Sequence, residues 1–140
     1  MKKTWVLVAD SEKARLFEFE RCRDPWVETT CLVNPETPHG EPTGRLPRVQ
    51  ESVGHARHAI EPRTDERDKA AMRFASAIVA TLQAAREARR FQALVLVAAP
   101  RFLGVLHRHL DKSLQQCVSR EIRHNLTGLD SAGIRGYLLG

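Results

Sequence analysis

The sequence predicts an α/β fold. Three antiparallel strands precede parallel strands joined by helical crossovers, all in one mixed sheet, with one long helix between the two sets. Three observations lead there. The run Leu94-Val95-Leu96-Val97-Ala98-Ala99-Pro100 is continuously apolar and closed by a proline, the mark of a strand buried on both faces. Helical spacing of apolar residues flanks it on both sides. The first 33 residues instead hold three short runs separated by turn signals too short for a helix.

In order, residues 4–9 (TWVLVA) read as a buried strand, closed by Asp10-Ser11-Glu12-Lys13. Residues 14–20 read as its hairpin partner. Arg15, Phe17 and Phe19 alternate with Glu18 and Glu20, and Leu16 falls out of phase. Residues 26–33 (WVETTCLV) are β-branched and follow the turn signal Asp24-Pro25. Between residues 34 and 63 the pattern fails: Pro35, Pro38, Pro42, Pro47 and Pro62 lie there with Gly40, Gly44 and Gly54. A long irregular loop is expected, and long loops in small domains usually carry function.

Thr64 is a fair N-cap, with Asp65 and Glu66 suited to a first turn, so the long helix is expected over residues 64–90. Ala71, Phe74, Ala75, Ile78, Leu82 and Ala85 make its apolar stripe. After the central strand, Leu103, Leu106, Leu110, Leu114 and Cys117 predict a single helix over 101–117. Residues 118–124 read as a last strand, and Thr127 with Asp130 predicts the cap of a terminal helix. This order matches ribonuclease-H-like sheets, in which the first strand lies parallel to the fourth, bringing Asp10 and Pro100 to one sheet edge.

At 140 residues the expectation is a single domain, 1–140, with a real core. The net charge of +5 admits an acidic partner, and equally a solubility role. Cys22, Cys31 and Cys117 are odd in number and lack metal spacing, which fits reduced thiols. Lys2 and Lys3 precede too short an apolar run for a signal peptide or membrane span. The chain is therefore expected to be cytoplasmic, without membrane insertion.

Asp10 stands where ribonuclease-H-like nucleases hold a metal, but no second or third acid falls at the end of another expected strand. A turn role for Asp10 is the preferred reading, and nuclease chemistry is rejected. Gly54-His55-Ala56-Arg57-His58 puts two titratable groups before the long helix. Each histidine is open to two readings: a general base or metal ligand, or a hydrogen-bonding group closing the loop. No zinc spacing and no adjacent nucleophile accompany them.

Arg45, Arg48 and Arg57 on the loop, with Arg63, Arg67 and Arg73 beyond it, are the residue type that phosphate recognition favours. Interleaved Glu41, Glu51, Glu61, Asp65, Glu66 and Asp68 leave a solvated mixed-charge surface as the alternative. A secondary anion site is suggested by Asp10, Arg101 and Gly104 at the amino end of the penultimate helix. Neither GxGxxG nor GxxxxGK[ST] occurs, and no cofactor or metal is expected.

Several blocks together resemble the bacterial host-attachment protein family, whose members resemble the middle domain of archaeo-eukaryotic peptide-chain release factors. They are Val8-Ala9-Asp10 with Ala14-Arg15-Leu16-Phe17, then Gly44-Arg45 and Gly54-His55-Ala56-Arg57-His58-Ala59-Ile60-Glu61-Pro62. Leu94 to Pro100, Leu103-Gly104-Val105-Leu106 and Leu126-Thr127 complete the set.

The resemblance implies a ribonuclease-H-like domain without nuclease acids. The Gly-Gly-Gln of release factors is missing from the corresponding loop, where Gln50 sits in Arg48-Val49-Gln50-Glu51, and Asn125 stands where an acid would precede Leu-Thr. The functional expectation is a non-catalytic domain contacting RNA or the ribosome through Arg45, Arg48, Gln50, Gly54, His55, Arg57 and His58. The alternative is a protein-interaction module acting indirectly in attachment to host cells. A small hydrolase using His55 or His58 ranks third.

Overall fold

The computed structural model describes residues 2–21, 24–36 and 53–139, with side chains from 66 to 138 in the last stretch. Strand β1 (Thr4–Ala9) runs through the middle of a five-stranded sheet. It pairs antiparallel with β2 (Lys13–Phe19) and parallel with β4 (Ala93–Ala98). Outside these lie β3 (Val27–Val33), antiparallel to β2, and β5 (Val118–Ile122), parallel to β4, giving the order β3-β2-β1-β4-β5. The expected mixed sheet is the observed one, with Ala9 opposite Ala98 where the two central strands end.

Every residue of β4 is buried because helices cover both faces. Trp5, Leu7, Leu94 and Leu96 pack under α1 (Val53–Glu87), α2 (Pro100–His109) and α3 (Lys112–Cys117). Val6, Val8, Val95 and Val97 pack against Leu126 and against Ile134 and Leu138 of α4 (Ser131–Leu139). Two covered faces also explain the phase conflict in β2: Leu16 enters the first core and Phe17 the second. At the outer edge, Leu16 pairs with Thr30 and Phe17 with Glu28, so Thr29 is bulged out of the ladder. A bulge bends an edge strand and discourages pairing with another chain.

The elements depart from expectation in three places. Helix α1 begins at Val53, not Thr64, so the expected irregular stretch ends about ten residues earlier and His55, Arg57 and His58 are helical. Proline costs a helix one backbone hydrogen bond but does not always end it. The run His55 to Glu61 contains no glycine or proline and includes good helix formers. At about 1.5 Å per residue, the 35 residues of α1 extend about 52 Å.

The helix expected over 101–117 is broken: Leu110 is extended and Asp111 caps α3, its carboxylate accepting from the Leu114 N–H at 2.8 Å. The terminal helix starts after Asp130, whose Oδ1 accepts from the Gly133 N–H at 2.8 Å, while Thr127 is engaged elsewhere. Among the described residues no helix is long and apolar enough to cross a membrane.

Candidate functional site

The carboxyl ends of β1 and β4 meet at Asp10, Ala99 and the start of α2, the edge where a sheet of this kind offers room for a ligand. Asp10 Oδ1 accepts from the N–H groups of Glu12 and Lys13 at 2.8 and 2.9 Å, closing the β1–β2 turn. Its Oδ2 accepts from Thr127 Oγ1 at 2.9 Å and Asn125 Nδ2 at 3.2 Å. Partial burial pushes this carboxyl up, but the backbone donors of Lys13 and Glu12 and the side chains of Thr127 and Asn125 together hold it below the usual aspartate value. Asp10 is thus an ionised turn residue that also ties down the β5–α4 connection.

Arg15 fastens the same connection from β2. Its Nε and Nη2 form a two-pronged pair with Glu28 at 3.0 and 3.1 Å, and Nη1 donates to the carbonyls of Thr127, at 3.1 Å, and Leu129. The guanidinium also lies 5.0 Å over the Phe17 ring. Hydrogen bonding to Arg15 holds the Glu28 carboxyl below its ordinary value, and the Arg15 guanidinium is correspondingly raised. These contacts read as an anchor for α4.

A cleft of about 850 Å³ opens on the other side of the β1–β2 turn, lined by Ser11, Glu12, Asn34 and Glu36 and, on α1, by Glu66, Arg67, Lys69, Ala70, Ala71 and Arg73. Asn34 organises it. Only 3% exposed, it donates to the carbonyls of Ser11 and Ala70 at 3.0 and 3.4 Å and accepts from the Glu36 N–H at 3.0 Å. Arg73 pairs with Glu36 at 2.7 Å, which holds that carboxyl down. Arg67 is exposed on the cleft and has no hydrogen bond or ion pair among the described residues. Also among the described residues, no three histidine, cysteine, aspartate or glutamate side chains gather as a metal site.

The residues singled out in the sequence are distributed unevenly. Arg45, Arg48 and Gln50 lie outside the described residues. Gly54, His55, Arg57 and His58 fall in the opening turns of α1, where side chains are not described. Of the secondary group, Arg101 turns to Asp68 on α1 at 3.2 Å, whereas the Asp10 carboxylate turns to Asn125 and Thr127. Gly104 faces open space. The backbone brings these three residues to one edge, but their contacts point Arg101 and Asp10 to different partners.

Asn34 escaped sequence reasoning, and Asn125 and Thr127 were singled out there without their link to Asp10. Their importance comes from contacts across the fold, and only the turn-forming residue types hinted at it. Also missed was the far end of α1, where Arg89 has a left-handed backbone, φ 59°, in a chain position that usually takes glycine. Two adjacent arginines at a helix end with no glycine near were the available signal.

Against known proteins, the family model described as "Protein required for attachment to host cells" matches residues 5–138. No curated protein matches the chain. Among solved structures, the archaeal translation termination factor aRF1 aligns at 14% identity and a TM-score of 0.44, over 91% of this chain and 32% of that one. A second, described as an archaeal protein, aligns at 11% identity and a TM-score of 0.43, over 96% and 34%. The chain therefore spans about a third of the length of these two structures.

Proposed function

The chain belongs to the family of proteins required for attachment to host cells, and from that premise we propose that it is a cytoplasmic, non-catalytic domain that contacts RNA or the ribosome through residues 45–73. The observation carrying this reading is the exposed Arg67 beside the cleft. It is a guanidinium without a carboxylate partner among the described residues, on the same stretch as Arg45, Arg48, Arg57 and Arg63. Phosphate recognition needs cations that no carboxylate already neutralises, and Arg73 and Arg101 do not qualify. Gln50, Gly54, His55 and His58 belong to the same proposed contact.

Ribosome co-sedimentation across a salt series tests it. Binding should weaken steeply with salt and drop further in the Arg45/Arg48/Arg57→Ala variant. Absence of binding even at low salt, or indifference to that variant, overturns the reading. The interleaved Glu12, Glu36 and Glu66 of the cleft favour a second reading, a protein partner carrying both charges. Recovery of one protein in a pull-down after nuclease treatment selects it.

A further inference from the structure

At the opposite end of α1 from residues 45–73, the helix stops beside the amino ends of the parallel strands. The Arg89 N–H donates to the Arg86 carbonyl and the Arg90 N–H to the Ala85 carbonyl, the paired closure normally built around a glycine. Arginine occupies the left-handed position instead, with φ 59°. A side chain held there at a backbone cost suggests that the position is kept for the side chain.

The surroundings say what that side chain serves. Lys3 exchanges hydrogen bonds with Gln92: its N–H donates to Gln92 Oε1 at 2.8 Å, and its carbonyl accepts from the Gln92 N–H at 2.9 Å. Gln92 Nε2 donates to the Arg89 carbonyl at 3.3 Å, so the start of β1 and the end of α1 are stitched together. Arg90 lies 5.7 Å over the Trp5 ring and remains exposed. This end therefore gathers Lys2, Lys3, Arg86, Arg89 and Arg90, with Glu18 and Glu87 as the adjacent acids. Glu18 is engaged by Lys3 at 3.4 Å and by Trp5 Nε1 at 3.0 Å. Glu20 and Arg21, of opposite charge, follow β2 at this end.

Among the described residues Lys2, Arg86 and the Arg89 side chain have no ion pair, and the buried Arg86 Nε has no acceptor. Cations at a helix carboxyl end are favourable by themselves. That effect accounts for their sign, but not for the left-handed backbone at Arg89.

We propose that Lys2, Arg86, Arg89 and Arg90 form a second docking surface, for the phosphodiester backbone of a nucleic-acid strand. Guanidinium groups match phosphate oxygens in pairs, and the exposed Arg89 and Arg90 are free to present theirs to a phosphate. Trp5 is buried under Arg90, so no aromatic face is offered to the bases, and contact is with the backbone without sequence preference. The surface stands independently of residues 45–73.

The test is fluorescence anisotropy of labelled oligouridylate, and of oligodeoxythymidylate of equal length, across a potassium chloride series. Arg89→Gly should melt about 3 °C higher than the parent, because glycine relieves the left-handed strain. Yet it should bind about fivefold more weakly at low salt, with the slope of log affinity on log salt reduced by about 0.7. Arg89→Lys, which keeps the charge, should retain most binding, and Lys2→Ala, whose side chain takes no part in the helix closure, should weaken it without moving the melting temperature.

Binding of both strands supports the proposal, and binding of the ribonucleotide strand alone supports it with an added 2′-hydroxyl contact. Unchanged affinity in Arg89→Gly and Lys2→Ala, or binding of anionic phospholipid vesicles but neither oligonucleotide, overturns it. If Arg45/Arg48/Arg57→Ala abolishes binding while Arg89→Gly does not, residues 45–73 stand and this surface falls. The reverse pattern does the opposite.

Discussion

Replacing Thr127 by valine removes one hydroxyl and almost no volume from a site 5% exposed. The hydroxyl lies 2.9 Å from Asp10 Oδ2 and 2.7 Å from Asn125 Oδ1, and its single proton is best placed on the charged oxygen. A hydrogen bond to a charged acceptor at a largely buried site contributes about 1–2 kcal/mol. For a chain of this size that is a fall in melting temperature of about 3–6 °C.

The loss should also depend on pH, and the sign follows from the donors. Asp10 has a folded pKa below its ordinary value, so its contribution is present above the unfolded value and disappears as pH falls through the folded one. The gap between parent and Thr127→Val should therefore be full near neutrality and close on acidification below the ordinary aspartate range. Thr127→Ser should recover most of the loss. Thermal melts followed by circular dichroism across pH provide the measurement. A valine variant as stable as the parent at neutral pH, or a gap that persists unchanged in acid, would refute the reading of Asp10 as an ionised anchor.

Two further substitutions probe the other polar joints. Asn34→Ala should cost about 1–2 kcal/mol in urea denaturation, because it removes from a residue 3% exposed the hydrogen bonds to the carbonyls of Ser11 and Ala70 and from the Glu36 N–H. Asp111→Ala removes the cap of α3 and the acceptor of Gln83 Nε2. It should cost about 1 kcal/mol, with hydrogen exchange accelerated first at Leu114 and its neighbours.

The centre of the fold was legible because burial on both sheet faces leaves a plain mark. Leu94 to Ala98 had no polar residue to alternate with, and the same held for Trp5 to Ala9. The helix limits were less legible, for three separate reasons. Pro62 reads as a breaker, yet α1 runs through it. Leu103, Leu106, Leu110 and Leu114 keep helical spacing across the break at Leu110, since both helices press the same stripe into one core. Thr127 and Asp130 are both acceptable caps, and the choice between them was made by Asp10, 117 residues away, which claims the threonine.

That claim also decides how the sheet edge is read. An ionised carboxylate offers about four lone-pair sites. At Asp10 four protein donors occupy them, two on each oxygen. An acid at the end of a central strand looks catalytic in sequence, but a carboxylate can take up a metal or a proton in a reaction only by giving up some of these bonds. Releasing them would free the β1–β2 turn and the loop leading to α4 together, since Arg15 holds that same loop through the carbonyls of Thr127 and Leu129. The edge that the strands point to is therefore committed to holding α4 on the sheet. Cations without an ion pair among the described residues lie elsewhere, Arg67 beside the cleft and Arg86 and Arg89 where α1 ends being three of them. In a chain of net charge +5, these are the groups on which the two proposed polyanion contacts rest.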